Sequence, residues 1–315
     1  MGVSVSGEKL LRNRNTQCVI QDSVPTLMPP FRPMPPAKKT ANSPIDTLPA
    51  RDRERRQRVQ SAEVGMAVLK GLARMGGRAS LTALSAHVGE SPAKVHRYLA
   101  SLVEEGLVAQ DSGSQHYHLG AEAIQIGLAA MRQADPIRVS EPALVRLRES
   151  LEVTCFVAVM GNKGPTIVRF EEPGLPVTVN ARVGSVLSML WSATGRAFLG
   201  FLDESRVRAM AEEEMMAAPA ELRRQLDPED PLGVLRRDIL AAGCAPVQDT
   251  YLRGISAVAA PVYDYTGRVC AVLTALGASG GFNPSADGPI ANAVRREAAA
   301  ASALLGHGTA ASKDA

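Results

Sequence analysis

The sequence has few aromatic residues, few cysteines and almost no excess of one charge. Of its 315 residues only 4% are aromatic, and there is a single tryptophan. The four cysteines, Cys18, Cys155, Cys244 and Cys270, are widely spaced and form no C-x-x-C pair, which favours neither a zinc site nor a disulfide framework. The formal charge is +3. The whole chain is therefore not a polycation, and any contact with nucleic acid must come from a local patch.

Long apolar runs and a secretory leader are also missing from the sequence. A transmembrane helix needs about 20 mainly apolar residues in succession. The cysteines at positions 155, 244 and 270 lie in apolar surroundings, which is typical of buried thiols in a reducing compartment. We therefore expect a cytoplasmic protein with no cofactor and no membrane partner.

A proline-rich segment comes first and is predicted to be disordered. Met1 to about Pro49 includes Pro29-Pro30 and Pro33-Met34-Pro35-Pro36 and has no sustained periodicity. A start codon assigned too far upstream would give the same appearance, and the sequence leaves both explanations open. The remaining length suits about two domains.

The segment from residue 80 to residue 119 has the pattern of a helix, a tight turn, a second helix and a two-stranded wing. The first helix stops at Gly89, and Ser91 followed by Pro92 predicts that the second helix begins at Pro92. Its predicted buried stripe is Val95, Tyr98, Leu99, Leu102 and Val103. A helix from near Ser61 completes the core, and residues 111–114 are predicted to be the turn of the wing. This order fits a winged helix-turn-helix.

The other side of the second helix is predicted to face DNA. Ala93, Lys94, Arg97 and Ser101 lie there at helical spacing, and Lys94 and Arg97 can donate to guanine edges or phosphates. The N–H groups around Ser91 suit a phosphate at the positive helix end. The alternative is a protein-interaction module in which both cations are only solvated.

A basic run precedes the first helix. Residues 51–58 include Arg55, Arg56 and Arg58, which can follow the phosphate backbone. A solvated charge run between a tail and a domain is the alternative interpretation.

A different pattern follows the wing. A helix is predicted from Ala121 to Arg132, with Ile124, Leu128 and Met131 on one side, and Asp135-Pro136 ends it. Further helices are predicted to end near residue 151, to span about 192–214 and 231–241, and to begin near residue 284. Strands are predicted at about 154–160, 166–170, 177–181, 245–249, 256–263 and 268–276. We expect one sheet flanked by helices.

Two patterns that bear on catalysis or metal binding are weak. Gly277-Ala278-Ser279-Gly280-Gly281 matches G-x-S-x-G, but no helix is predicted to start at once, and only His307 follows it. His116 and His118 share a face of the predicted wing strand without an evident third ligand. We therefore expect neither an enzyme nor a metal site.

Several motifs in order resemble the IclR family of bacterial transcriptional regulators, from about Val59 to Ser302. They are Val59-Gln60-Ser61-Ala62-Glu63, Lys94-Val95-His96-Arg97-Tyr98-Leu99, Tyr117-His118-Leu119-Gly120, Arg182-Val183-Gly184-Ser185, Ala193-Thr194-Gly195-Arg196-Ala197, Val258-Ala259-Ala260-Pro261-Val262 and Asp264-Tyr265-Thr266-Gly267-Arg268. The resemblance implies a GAF-like effector domain, a dimer or dimer of dimers, a palindromic operator in double-stranded DNA, and a small-molecule effector.

The residue pattern and the resemblance together give a set of expected site residues. The expected DNA-binding residues are Ser91, Ala93, Lys94, His96, Arg97, Ser101, Arg55, Arg56 and Arg58. The expected effector-binding residues are Met189, Trp191, Ala193, Thr194, Val247, Gln248, Ala257, Thr274 and Leu276. Core packing is the alternative role for Met189, and Arg182 or Arg253 can reach a ligand carboxylate unless each is only a surface charge.

Some pocket positions depart from the family pattern. Val247-Gln248 stands where many members have two acids, and Ala257, Thr274 and Leu276 stand where they have a cysteine and two serines. Because a small carboxylate needs several donors to repay its desolvation, this pocket is predicted to prefer a larger, more apolar ligand, such as an aromatic acid.

The sequence thus predicts an α+β chain in five parts. These are a tail (1–50), a winged helix-turn-helix domain (51–119), a linker helix (120–135), a GAF-like α/β effector domain (136–305) and a flexible end (306–315). The expected function is a ligand-responsive, DNA-binding regulator. A winged-helix sensor that acts through a protein partner is the alternative.

Overall fold

The computed structural model describes residues 59–174, 181–250 and 252–308. Its N-terminal part has three helices and a small antiparallel sheet. The helices are α1 (Gln60–Arg74), α2 (Leu81–Val88) and α3 (Pro92–Glu104), and the strands are β1 (Arg78–Ala79), β2 (Val108–Gln110) and β3 (Tyr117–Leu119), in the order β1-β3-β2. The predicted winged helix-turn-helix is confirmed.

Local sequence signals set the bounds of these helices. The Ser80 hydroxyl accepts a hydrogen bond from the Ala83 N–H at the start of α2, and Gly89 ends α2 in the left-handed region, at φ 76°. Pro92 occupies the first turn of α3. Side chains from all three helices and the sheet then share one core, which includes Val68, Leu72, Leu84, Val95, Leu99, Leu102, Val108 and Tyr117.

Three details of this domain differ from the prediction. The wing sheet has a third strand, β1, whose two residues are too few for an alternating pattern to be recognised. Val103 is 39% exposed rather than part of the buried stripe, because it lies at the edge of the stripe. The Ser91 side chain makes no capping hydrogen bond, which leaves its hydroxyl available.

A separate helix, α4 (Ala121–Gln133), follows the wing at the predicted place. None of its residues is buried. Its large apolar side chains, Ile124, Ile126, Leu128 and Met131, are between 43% and 60% exposed.

The C-terminal part is an α/β domain with a five-stranded antiparallel sheet. The strands are β4 (Thr154–Gly161), β5 (Gly164–Glu171), β6 (Ala245–Gln248), β7 (Ile255–Tyr263) and β8 (Val269–Ala278), in the order β5-β4-β8-β7-β6. The helices are α5 (Pro136–Leu151), α6 (Ala193–Phe201), α7 (Ser205–Ala217), α8 (Ala220–Arg223), α9 (Pro231–Ala242) and α10 (Pro289–Leu304). The predicted fold class is confirmed.

Helices cover both faces of this sheet, because successive residues of a strand point to opposite faces. On one face Val157, Val258, Leu273 and Ala275 pack with residues of α5 and α10. On the other, Val247, Ala259 and Val272 pack with α6 and α7, including Phe198 and Val207.

Several predicted bounds in this domain need correction. The helix predicted at about 192–214 is two helices, because the backbone of Leu202 is extended and a second helix begins only at Ser205. The last helix starts at Pro289 rather than near Pro284. The strand predicted at 177–181 lies outside the described residues except for Ala181, which is not in a strand.

Candidate DNA-binding helix and ligand cavity

The exposed face of α3 carries two basic residues in different environments. Arg97 is exposed, and it forms no ion pair with any residue that the structure describes. Lys94 is paired with Glu90, since its Nζ lies 2.7 Å from Glu90 Oε1, and the two side chains are only 32% and 30% exposed. Ser91, Ala93, His96 and Ser101 are also exposed. Among the described residues, the helix therefore presents a guanidinium without an ion pair beside an ammonium that already has a partner.

The wing turn is held by a carboxylate. Asp111 Oδ1 accepts hydrogen bonds from the N–H groups of Ser114 and Gly113, at 3.1 and 2.8 Å, and Arg78 binds Oδ2 at 3.2 Å. The backbone N–H groups of Ser114 and Gly113 keep the pKa of Asp111 below its ordinary value of 3.8. The turn is thus ordered by its own side chains, and Arg78 is engaged there.

Four other residues singled out in the DNA-binding domain lie either outside the described residues or outside strand β3. Arg55, Arg56 and Arg58 lie outside the described residues. His116 precedes β3 instead of lying in it, and its Nδ1 is 2.9 Å from the Ser114 carbonyl oxygen.

A cavity of about 760 Å³ lies against one face of the large sheet. Strand register builds its floor: Val247 pairs with Ala257, and Ala257 pairs with Leu276. Thr274 pairs with Phe156 in the next row. These side chains share a face because directly paired residues point to the same side of a sheet, and Thr274 and Leu276 lie two residues apart on one strand. The N-terminal turn of α6 closes one side with Ala193 and Thr194.

The cavity brings together most, but not all, of the predicted effector residues. Those among its lining residues are Trp191, Ala193, Thr194, Val247, Ala257, Thr274 and Leu276. Met189 is fully buried in the core beside α6, and Gln248 is exposed one residue after Val247. Neither lines the cavity. Arg253 does, whereas Arg182 does not.

Sequence reasoning missed the remaining walls. They are formed by Phe156, Ala181, Ser185, Val186, Leu187, Ser188, Ser192, Thr250, Leu252 and Ile255. Most of these residues lie in loops, where no periodicity marks an inward side. Phe156 had a usable signal, because an aromatic side chain in a buried strand is typical of a cavity wall or core.

Most hydroxyl groups at the cavity already have partners. Thr194 Oγ1 and Thr274 Oγ1 share a hydrogen bond of 2.8 Å, and both residues are about 1% exposed. Thr250 Oγ1 donates to the Gln248 carbonyl oxygen at 3.2 Å. The free hydrogen-bonding capacity of the cavity is therefore small, and its one charged lining residue is Arg253 among those described.

The loop before α6 is held by a carboxylate from α7. Glu214 accepts hydrogen bonds from the Ser188 hydroxyl and from the N–H groups of Met189 and Leu190, at 2.5, 2.8 and 3.0 Å. Arg196 Nε donates to the Leu190 carbonyl oxygen at 2.9 Å. Burial lowers the pKa of the Arg196 guanidinium to about 10. These contacts fix the segment that presents Trp191.

A second carboxylate holds the opposite wall. Asp249, at φ 50°, accepts hydrogen bonds from the Gly254 N–H at 2.6 Å and from the Ser279 hydroxyl at 2.8 Å. Ser279 also shares a hydrogen bond of 2.9 Å with Ser256. The serine of the G-x-S-x-G pattern is therefore part of a polar cluster that closes the turn carrying Arg253, with no histidine among its hydrogen-bond partners.

Metal and thiol chemistry have little support in the described part of the chain. No group of three or more His, Cys, Asp or Glu side chains there is arranged to hold a metal. Burial raises the pKa of the Cys155 thiol to about 12 and that of Cys270 to about 11. Nor is any helix in these ranges long and apolar enough to cross a membrane.

Comparison with known families assigns both domains. Residues 61–112 match the IclR helix-turn-helix domain, and residues 128–303 match the C-terminal domain of the bacterial transcriptional regulator IclR. The second match alone spans more than half of the chain. The chain belongs to the IclR family. It is a DNA-binding transcriptional regulator, and its family is not one of enzymes.

Individual relatives agree with this assignment. The crystal structure of Pseudomonas aeruginosa HmgR is 40% identical, with a TM-score of 0.72, over 79% of this chain and 99% of that one. The acetate operon repressor of Salmonella typhimurium is 25% identical over 73% of this chain and 82% of its own length. The transcriptional repressor IclR of Escherichia coli is 27% identical over 55% of this chain and 62% of its own length.

Proposed function

We propose that this IclR-family protein is a ligand-responsive regulator that binds a palindromic operator as a dimer or dimer of dimers and senses an organic acid with a large apolar body. The observation that carries the proposal is the 760 Å³ cavity, whose walls are mainly apolar and include Arg253. Relatives named as repressors support repression as the direction of control. The site of action is the cytoplasm, where bacterial DNA lies.

The cavity argues for the class of ligand. Its volume lies within the usual range of about 300 to 1,000 Å³ for small-molecule sites. A two- or three-carbon acid would leave most of this space unfilled and would find few free donors. An aromatic acid can stack its ring on apolar walls such as Phe156 and Trp191 while its carboxylate pairs with Arg253.

Trp191 provides the readout for this ligand class. We expect phenylacetate or a related aromatic acid to change the fluorescence of Trp191, the single tryptophan, and pyruvate to leave it unchanged. Arg253→Gln should weaken the response to the aromatic acid, and Arg182→Gln, outside the cavity, should not. A clear response to pyruvate alone would contradict the proposed ligand class.

The recognition role of α3 is tested separately. Arg97→Ala should weaken binding to an operator selected from random duplex DNA by about 1 to 3 kcal/mol. Arg138→Ala, an exposed arginine of α5, is the matched control. Unchanged operator binding by Arg97→Ala would mean that α3 does not contact the operator, as expected of a module that binds a protein partner.

A further inference from the structure

An acidic residue stands where the proposed DNA-binding surface begins. Glu90 precedes Ser91, the N-cap of α3, and its carboxylate holds the Lys94 ammonium at 2.7 Å. Both side chains are about two-thirds covered. The family resemblance assigns no role to Glu90, and a carboxylate near DNA phosphates opposes binding by like-charge repulsion.

We propose that Glu90 is a specificity-determining residue: by holding Lys94, it weakens binding to arbitrary DNA more than binding to the operator. This inference rests on the proposed role of α3 at the operator. Its physical basis is that discrimination often needs an element that penalises the wrong partner.

The Lys94–Glu90 pair can contact DNA bases more readily than DNA phosphates. An ammonium has three donors, so Lys94 can keep its bond to Glu90 and still donate to guanine O6 or N7. The carboxylate can also accept a hydrogen bond from the N4 amino group of a cytosine. A DNA phosphate has no hydrogen-bond donor for the carboxylate, and its negative charge repels the carboxylate. If Lys94 contacts a phosphate, either its ion pair with Glu90 must break or the Glu90 carboxylate must lie close to the phosphate, which repels it.

A purely structural role gives a different expectation. A carboxylate near the start of a helix stabilises the helix dipole, and an ion pair of this kind adds a modest further contribution. If Glu90 did only this, Glu90→Gln would lower the melting temperature and leave the salt dependence of DNA binding unchanged.

The test uses the full-length protein and a duplex of random sequence, so that no operator is needed for its first arm. Glu90→Gln should bind this duplex several-fold more tightly. Its salt dependence should steepen by about 0.9 in slope for each Lys94 that is freed to neutralise a phosphate. Glu104→Gln is the control, since it makes the same charge change about 15 Å from Lys94 along α3, beyond the usual screening length.

A Lys94→Gln background shows whether the effect runs through Lys94. There, Glu90→Gln should leave the slope of the salt dependence unchanged. A second arm measures the ratio of affinities for a selected operator and the random duplex, which should fall several-fold in Glu90→Gln.

Three results would overturn the inference: an unchanged slope in Glu90→Gln, an equal effect of Glu104→Gln, or the same effect in the Lys94→Gln background. Arg97→Ala separates this outcome from failure of the proposed function. If Arg97→Ala weakens operator binding while Glu90→Gln changes nothing, only the role of Glu90 is wrong.

Discussion

The buried hydroxyl pair of Thr194 and Thr274 joins α6 to β8 beside the cavity. Replacing one member removes a hydrogen bond and leaves the other hydroxyl without its partner at about 1% exposure. An unsatisfied buried group costs more than a missing pair of polar groups.

Thr274→Val is therefore expected to reduce the free energy of unfolding by about 1 to 3 kcal/mol, measured by urea denaturation. The double variant Thr194→Val/Thr274→Val should recover much of this loss, because neither position then has an unpaired hydroxyl. If the two single effects simply add in the double variant, the hydrogen bond does not couple the two residues.

Seven of the nine residues expected to bind an effector line the cavity, and an effector-binding role for them stays a prediction. Val247, Ala257 and Leu276 are paired across neighbouring strands and therefore face the cavity together. Gln248 shows the limit: adjacent strand residues point to opposite faces, so a motif of two consecutive positions cannot place both in one cavity. The pairing of Lys94 with Glu90 was not predictable from helical spacing, because Glu90 lies in the turn before the first residue of α3.

At the scale of elements, Glu214 connects α7 to the loop that carries Trp191. Three donors converge on its carboxylate, and hydrogen bonds to a charged group are stronger than neutral ones. The preceding residue, Glu213, is exposed and provides a control on the same helix.

Glu214→Ala is expected to lower the free energy of unfolding by about 1 to 3 kcal/mol, because the N–H groups of Met189 and Leu190 lose their acceptor. The emission of Trp191 should shift to longer wavelength as the loop loosens. Both quantities are measured in one urea titration followed by fluorescence. An equal effect of Glu213→Ala would show that the change reflects helix charge rather than the loop contacts.

The wing gives a second prediction for an element. The pKa of Asp111 is lowered in the folded protein. Its contribution to the stability of the wing turn is therefore complete above the ordinary carboxyl pKa, and it is lost only as the pH falls through the lower pKa of the folded state. The turn should therefore keep the contribution of Asp111 at neutral and mildly acidic pH and lose it only in strong acid.

Asp111→Ala should accelerate amide hydrogen exchange at Gly113 and Ser114 at neutral pH, since both N–H groups lose their acceptor. Ser112→Ala, at an exposed neighbouring position, should leave the exchange rates unchanged. Equal rates in Asp111→Ala and the wild type would show that the backbone alone fixes the turn.

The ends of helices were predictable where the sequence has a Gly or Pro at the helix end, and they were not predictable where it has neither. Gly89 and Pro92 marked the turn before α3, and the structure has its bounds there. The break between α6 and α7 has neither proline nor glycine, because it consists of Leu202, Asp203 and Glu204. The sequence therefore carries no Pro or Gly signal that would end the first helix there.

For the whole molecule, the exposed apolar residues of α4 argue for assembly. Contiguous apolar surface of this kind marks interaction sites, and a two-fold dimer would place two copies of α3 on a palindromic operator. Ile124, Leu128 and Met131 recur at the spacing of one helix face. A second copy of the chain is the partner that the proposed function requires.

Introducing charge on this face should therefore dissociate the proposed dimer. Ile124→Glu/Leu128→Glu is expected to lower the molar mass measured by light scattering on a sizing column and to weaken operator binding, because each half-site then binds one chain independently. Gln125→Glu/Gln133→Glu adds the same charge to α4 at other exposed positions and should keep the native mass. If the first variant keeps that mass while its helix content is unchanged, this face of α4 does not hold the subunits together, and the contact must lie elsewhere on the chain.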